Sequence, residues 1–259
     1  MTFETLIAEA AAADVSGWNF DWLTGRATEE RPPWRYSHLL TARLAEATSA
    51  LDIDTGGGEV VAEAPVFPPR MAVTEGWPPN IARARHLLTP RGAEVVPASP
   101  GEPLPFPDAS FDLVTSRHPV RPDWPEIARV LTGSGTYLAQ HVGPQSAIEL
   151  SEWFLGPLPR DGDRRSPSAE TAAAQAAGLE IISLRTARLR MHFHDIGAVV
   201  YILRKCVWWV PDFTVDRYLD PLRRLHTHIQ AEGAFTAHST RTLIEAKRAG
   251  ASTGTPRDA

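Results

Sequence analysis

The chain has 259 residues, 43% of them hydrophobic, and a formal net charge of −5. That length can bury a core and fits one α/β domain with added elements better than two independent domains, while the acidic balance does not advertise a polyanionic partner. The single cysteine, Cys206, excludes an intrachain disulfide and a cysteine-based zinc cluster and points to a reducing compartment.

The opening MTFETLIAEAAAADVSGW has no basic segment followed by a long apolar core, and nowhere does an apolar run approach about 18 residues. A cytoplasmic protein away from membranes is therefore expected, as a monomer or homodimer. Residues 1–13 read as a helix. Between Gly17 and Tyr36, Trp18, Phe20, Trp22, Trp34 and Tyr36 stand among charges and the Pro32-Pro33 pair, a folded aromatic segment. The helical spacing of Leu39, Leu40, Leu44 and Ala47 predicts a helix over 38–48 that delivers the chain into a strand at Ala50–Asp54. Further strands are expected at Met71–Thr74, Ala93–Pro97, Phe111–Ser116, Thr136–His141, Leu179–Leu184 and Arg241–Ala246. Between them come helices at Asn80–Leu88, Trp124–Leu131 and Ala169–Ala177. Arg160–Ser168 reads as a loop, 188–224 as apolar helix and turn, and 248–259 as a frayed tail. Alternating strand and helix implies seven strands in a mostly parallel, Rossmann-like sheet covered on both faces. The organisation expected is one domain over 1–259: an N-terminal helical cap (1–47), a cofactor-binding core (48–143), a C-terminal half with an acceptor-side insertion (144–246) and a tail (247–259).

Chemistry concentrates where the first strand ends, in Leu51-Asp52-Ile53-Asp54-Thr55-Gly56-Gly57-Gly58-Glu59. Glycines there let the backbone approach a ligand and adopt positive φ, although a plain strand-to-helix turn uses the same residues. Met71–Thr74 then ends in Glu75, and a carboxylate at a strand tip can accept both hydroxyl protons of a ribose. A dinucleotide fingerprint would need a third glycine where Val61 stands, which argues against a nicotinamide cofactor.

Four ordered segments resemble the class I S-adenosylmethionine (SAM)-dependent methyltransferases, specifically members with an LPF…FD-hV region. Asp52–Gly58 is similar to the first motif and Glu75 to the acidic residue of the second strand. Leu104–Val114, reading LPFPDASFDLV, matches the approach to strand four, and Glu126–Thr136, reading EIARVLTGSGT, the helix and turn before strand five. The resemblance covers roughly residues 48–143. It implies that Asp52, Asp54 and Gly56, Gly57 and Gly58 shape the pocket for the cofactor's amino-acid portion and that Glu75 holds its ribose. Trp77 would flank the adenine, Gly101 and Glu102 would contact its edge, and Arg117 and His118 would face the transferable methyl. Two positions depart from the pattern: Asp54 replaces the motif's first glycine, and Pro100 stands where an acidic residue often meets the adenine.

Methyl transfer needs in-line placement of the acceptor and removal of a proton from a hydroxyl or amine. His118, His141, His192 and His194 are candidates for the latter, and each also reads as a structural histidine. His192, His194 and Asp195 suggest a metal only if the two rings share a strand face, and no third ligand is evident, so no metal is expected. The expected acceptor is a small molecule, with the aromatic segments as a lid. Two alternatives are a base methyltransferase for rRNA or tRNA, using Arg160–Arg165 and Arg217–Arg224 on phosphates, and a noncatalytic binding protein with the same fold, motivated by Asp54 and Pro100.

Overall fold

A computed structural model describes residues 1–17, 19–159 and 165–249. Trp18 of the aromatic segment, residues 160–164 of the polar loop and basic run, and the tail from 250 onward lie outside the described residues.

In chain order the strands are β1 (Ala27–Glu29), β2 (Ser49–Ile53), β3 (Arg70–Glu75), β4 (Ala93–Pro97), β5 (Phe111–Arg117), β6 (Leu131–Val142), β7 (Leu179–Phe193) and β8 (Phe235–Arg248). They form one sheet in the order β1-β7-β8-β6-β5-β2-β3-β4. The run β6-β5-β2-β3-β4 is parallel, and β1 joins β7 antiparallel with Ala27 opposite Phe193. The fold is α/β with a mostly parallel, Rossmann-like sheet flanked by helices, and among the described residues it has eight strands where seven were expected. The addition is β1. Its three residues show no apolar alternation, so nothing local marks it; it is recruited by the far end of β7, where the Glu30 N–H also reaches the Arg190 carbonyl at 2.9 Å.

The helices are α1 (Phe3–Ala12), α2 (Tyr36–Glu46), α3 (Glu59–Ala62), α4 (Pro78–Leu88), α5 (Trp124–Val130), α6 (Ile148–Leu155), α7 (Pro167–Ala176), α8 (Ile196–Lys205) and α9 (Leu219–Glu232). No described helix is long and apolar enough to cross a membrane.

Contacts divide the chain into two compact units. One comprises Trp34–His141, Arg164–Thr186 and Thr242–Ala259. All but the first residue of β3 are buried, as a strand covered on both faces requires. Apolar residues of β2, β3, β5 and β6 (Leu51, Ala72, Val114 and Tyr137) meet Trp124 and Ile127 of α5 in a common core. Helix ends follow local chemistry: Pro78 occupies the first turn of α4, where its missing N–H costs nothing. The Asp123 and Ser166 side chains cap α5 and α7 by accepting from Glu126 N and Ala169 N, as short polar residues do at such positions.

The other unit comprises Met1–Pro33, Val142–Asp163 and Ala187–Arg241. Its core draws on α1, α6, α8 and α9, with Leu6, Leu150, Val199, Leu203, Leu222 and Ile229 among its members. Nine of the ten residues of α8 are buried, Lys205 among them, so this helix lies inside the core of its unit. The stretch expected to begin as helix and turn at 188 is instead the continuation of β7 to Phe193. Its alternation of Leu189, Met191 and Phe193 inward is a strand period that charged neighbours obscure.

Candidate functional site

Register places the carboxyl ends of the central strands together: Ile53 of β2 lies opposite Ser116 of β5, and Glu75 of β3 opposite Pro97 of β4. In open α/β sheets ligands bind outside these ends. After Ile53 the chain turns through Asp54, at φ +55°, and Thr55, whose N–H reaches the Thr74 carbonyl at 2.9 Å. Gly56, at φ +64°, has open space where a side chain would project; Gly58, at φ +84°, would drive a Cβ to 2.8 Å from Leu88 Cδ1. Gly56 thus leaves a surface for a ligand, whereas Gly58 serves the close approach of α3 to α4. Gly57 lies against the Arg83 side chain, which pairs with Glu59 at 2.6 Å.

Three carboxylates frame this turn. Asp52 is 4% exposed and accepts from the Thr115 hydroxyl at 2.5 Å. Burial pushes its carboxyl up to about 6; the Thr115 bond opposes the rise and Asp54 adds to it. Asp54 is also raised by burial, with the Val120 N–H opposing and Glu75 reinforcing the shift. That N–H lies 3.3 Å from Asp54 Oδ2. Glu75 binds two backbone donors, Gly56 N through Oε2 and Trp77 N through Oε1, each at 2.8 Å. Its carboxylate therefore ties the glycine turn to the start of α4. Trp77 stands there 42% exposed.

A recess opens beside these groups, bounded by Asp54, Thr74, Ser116, the 98–102 turn and the segment 119–123, with Tyr137 also in its wall. Gly101 takes φ +88° in that turn, and Glu102 folds back so that its N–H meets the Ser99 carbonyl at 3.1 Å. The Thr74 hydroxyl is buried without a protein hydrogen-bond partner.

Arg117 ends β5 exposed to solvent. His118 follows at φ +60°, its N–H held by the Gln140 carbonyl at 2.7 Å. An indole N–H can only donate, so the Trp34 Nε1 contact at 2.7 Å makes Oε1 of Gln140 the acceptor. The amide nitrogen of Gln140 is then the donor to His118 Nε2 at 2.9 Å. That fixes the neutral Nδ1–H tautomer of His118. His141 is buried at the end of β6, with Nδ1 2.7 Å from Glu170 Oε1 and Nε2 3.0 Å from the Tyr137 hydroxyl. His194 lies in the other unit. Its N–H bonds the Arg26 carbonyl at 2.8 Å, and its ring stacks with that of His192 at 6.2 Å. Among the described residues no group of three His, Cys, Asp or Glu is arranged to hold a metal.

The structure thus gathers Asp52, Asp54, Gly56, Gly57, Gly58 and Glu75 around one turn, and Gly101 and Glu102 beside the recess. His118 and His141 belong to the same unit, whereas His194 does not. Sequence reasoning missed Thr74, Thr115, Gln140, Tyr137 and Glu170. Thr74 and Thr115 sit at strand ends, an address that could have been read; the others carry no local signal.

Residues 51–139 match the family model described as "Methyltransferase domain". No curated protein matches the sequence closely enough to count as a relative. Among solved structures, a Bacillus halodurans protein provisionally described as a methyltransferase is 17% identical, with 82% of this chain and 98% of that one covered and a TM-score of 0.58. The YcgJ protein of Bacillus subtilis is 18% identical over 82% and 98%, with a TM-score of 0.55. The [4+2]-cyclase SpnF is 17% identical over 95% and 93%, with a TM-score of 0.50. Residues 51–139 thus resemble a methyltransferase domain, and the fold is similar to that of these solved structures.

Proposed function

We propose that this protein transfers a methyl group from SAM to an oxygen or nitrogen of a small molecule by in-line displacement. The observation that carries the reading is the set of groups at the ends of β2 and β3: the open face of Gly56, the anchored Glu75 carboxylate and the buried Thr74 hydroxyl without a protein partner. These fit the cofactor. Each Glu75 oxygen accepts one backbone N–H and retains capacity for a ribose hydroxyl. Asp52 and Asp54 place negative charge where the cofactor's ammonium end would lie, and the Gly101–Glu102 turn and Trp77 border the adenine position.

When bound, SAM supplies an electrophilic methyl on a positively charged sulfur. Everything else falls to the chain. His118, with Nε2 engaged by Gln140, orients rather than takes the proton; its fixed tautomer makes it a hydrogen-bond donor through Nδ1. A net charge of −5 favours a small acceptor over a polyanion. The fold alone does not choose the reaction, as the [4+2]-cyclase among its structural neighbours illustrates. The test is incubation with SAM carrying a labelled methyl, against a panel of small hydroxyl and amine compounds and against total RNA. Label in the small-molecule fraction is expected; label confined to RNA would contradict the proposal.

A further inference from the structure

The glycine turn holds a carboxylate that stability does not account for. Asp54 takes φ +55°, in the left-handed region that glycine enters at no steric cost. Burial raises its carboxyl, with the Val120 N–H opposing the rise and Glu75 adding to it. A glycine would avoid both penalties. The side chain's hydrogen bond, from Val120 N to Oδ2, is long at 3.3 Å, so little stability returns through it. Residues that break local backbone and solvation preferences in this way cluster at functional sites.

The neighbouring carboxylates are committed elsewhere. Asp52 is 4% exposed and accepts from the Thr115 hydroxyl, and each Glu75 oxygen holds a backbone N–H. Asp54 is half-buried and borders the recess directly, together with Glu102, Asp123 and Arg121. The wall thus sets three carboxylates against one guanidinium, and no cation enters the balance of influences on Asp54 itself. The Thr74 hydroxyl, 1% exposed and without a protein hydrogen-bond partner, borders the same recess. A buried hydroxyl left in that state is an independent sign that a ligand with polar groups belongs there. Low-dielectric walls extend the reach of the field such carboxylates produce.

We propose that Asp54 makes the site selective for positive charge at the cofactor's sulfur, so that it retains the sulfonium of SAM and releases the neutral thioether of S-adenosylhomocysteine. This rests on the SAM-binding reading above. The two molecules share adenine, ribose, ammonium and carboxylate, and they differ at sulfur by one methyl and one positive charge. Ammonium and sulfur are a short carbon chain apart, within reach of one carboxylate's field in a half-buried site. Asp54 is a specificity-determining residue here; it takes no proton and forms no bond in the transfer.

The test is isothermal titration calorimetry of the full chain with SAM and with S-adenosylhomocysteine, in the wild type, Asp54→Asn and Asp54→Gly. Asparagine keeps an oxygen for the Val120 N–H and tolerates positive φ, so it removes the charge alone. The wild type should bind SAM about tenfold more tightly than S-adenosylhomocysteine, and Asp54→Asn should reduce that ratio to about twofold through loss of SAM affinity. Equal weakening of both ligands by Asp54→Asn would put its charge on the shared ammonium end. That result, an unchanged ratio, or wild-type binding of S-adenosylhomocysteine as tightly as SAM would overturn the selectivity and leave the cofactor reading standing. Absence of binding heat with both ligands would overturn the two together. Should Asp54→Asn fail to fold, Asp54→Gly decides, since φ +55° suits glycine.

Discussion

Asp52 ends β2 with its carboxylate buried and raised to about 6. A carboxyl whose folded-state value lies above its unfolded one binds more protons when folded, so stability falls as pH rises from about 4 to about 6. Across that window the cost is on the order of 3 kcal/mol. Asp52→Asn, which keeps an acceptor for Thr115, should raise the melting temperature by several degrees at pH 8 and leave it nearly unchanged at pH 4. Equal shifts at both pH values in thermal melts would contradict the assignment. Glu75 is different, because its oxygens hold two backbone N–H groups. Glu75→Ala should therefore cost about 2 kcal/mol of stability as well as any cofactor affinity. Glu75→Gln keeps one acceptor and should fall between. Unchanged denaturation of the alanine variant would show that the tie is not a structural one. The acidic residue was legible from its place after an apolar strand; its anchoring of the glycine turn was not, since the partners are backbone groups 19 and 2 residues away.

At the scale of elements, two motif segments recognised in the sequence prove to be one structural clip. The Arg129 guanidinium donates to the Leu104 carbonyl at 2.9 Å, the Phe106 carbonyl at 2.8 Å, Asp108 at 2.8 Å and Glu126 at 2.7 Å, while Glu126 accepts from Leu104 N at 2.7 Å. Asp112 similarly accepts from Thr48 N and Ser49 N at 3.0 and 3.1 Å. Burial would raise its carboxyl, but these bonds outweigh it and the net shift is downward. So the E-x-x-R and LPF segments fasten the entry to β5 onto α5, and the FD aspartate fastens β5 to the start of β2. Arg129→Ala removes the donor from two part-buried carbonyls and the Glu126 carboxylate and should cost about 1–3 kcal/mol in chemical denaturation; a loss below about 0.5 kcal/mol, typical of a surface substitution, would contradict the clip. The buried central strands were legible because β2, β3 and β5 are apolar runs ended by polar turns. The long reaches of β7 and β8 beyond 184 and before 241 were not. Their outward residues, such as Arg185, Arg188 and Thr240, break the apolar pattern, and only pairing with neighbouring strands keeps them extended.

For the whole molecule, the two compact units differ in how much the sequence disclosed. The unit carrying the parallel strands repeats an ordered set of motifs, and the match over 51–139 lies within it. The other, like the first, is assembled from three separated stretches of chain. Its burial comes from scattered apolar residues of α1, α6, α8 and α9, a pattern that names no chemistry. Composition narrowed the partners but not the acceptor. Gln140 and Glu170 escaped notice for a shared reason: their meaning lies in contacts between elements distant in sequence. The central claim is that the groups around Gly56 and Glu75 bind SAM, and isothermal titration calorimetry tests it most directly. Saturable one-to-one binding of both SAM and S-adenosylhomocysteine, weakened at least tenfold by Glu75→Gln (about 1.4 kcal/mol), is the predicted result. Absence of heat and of thermal stabilisation by either ligand would contradict it.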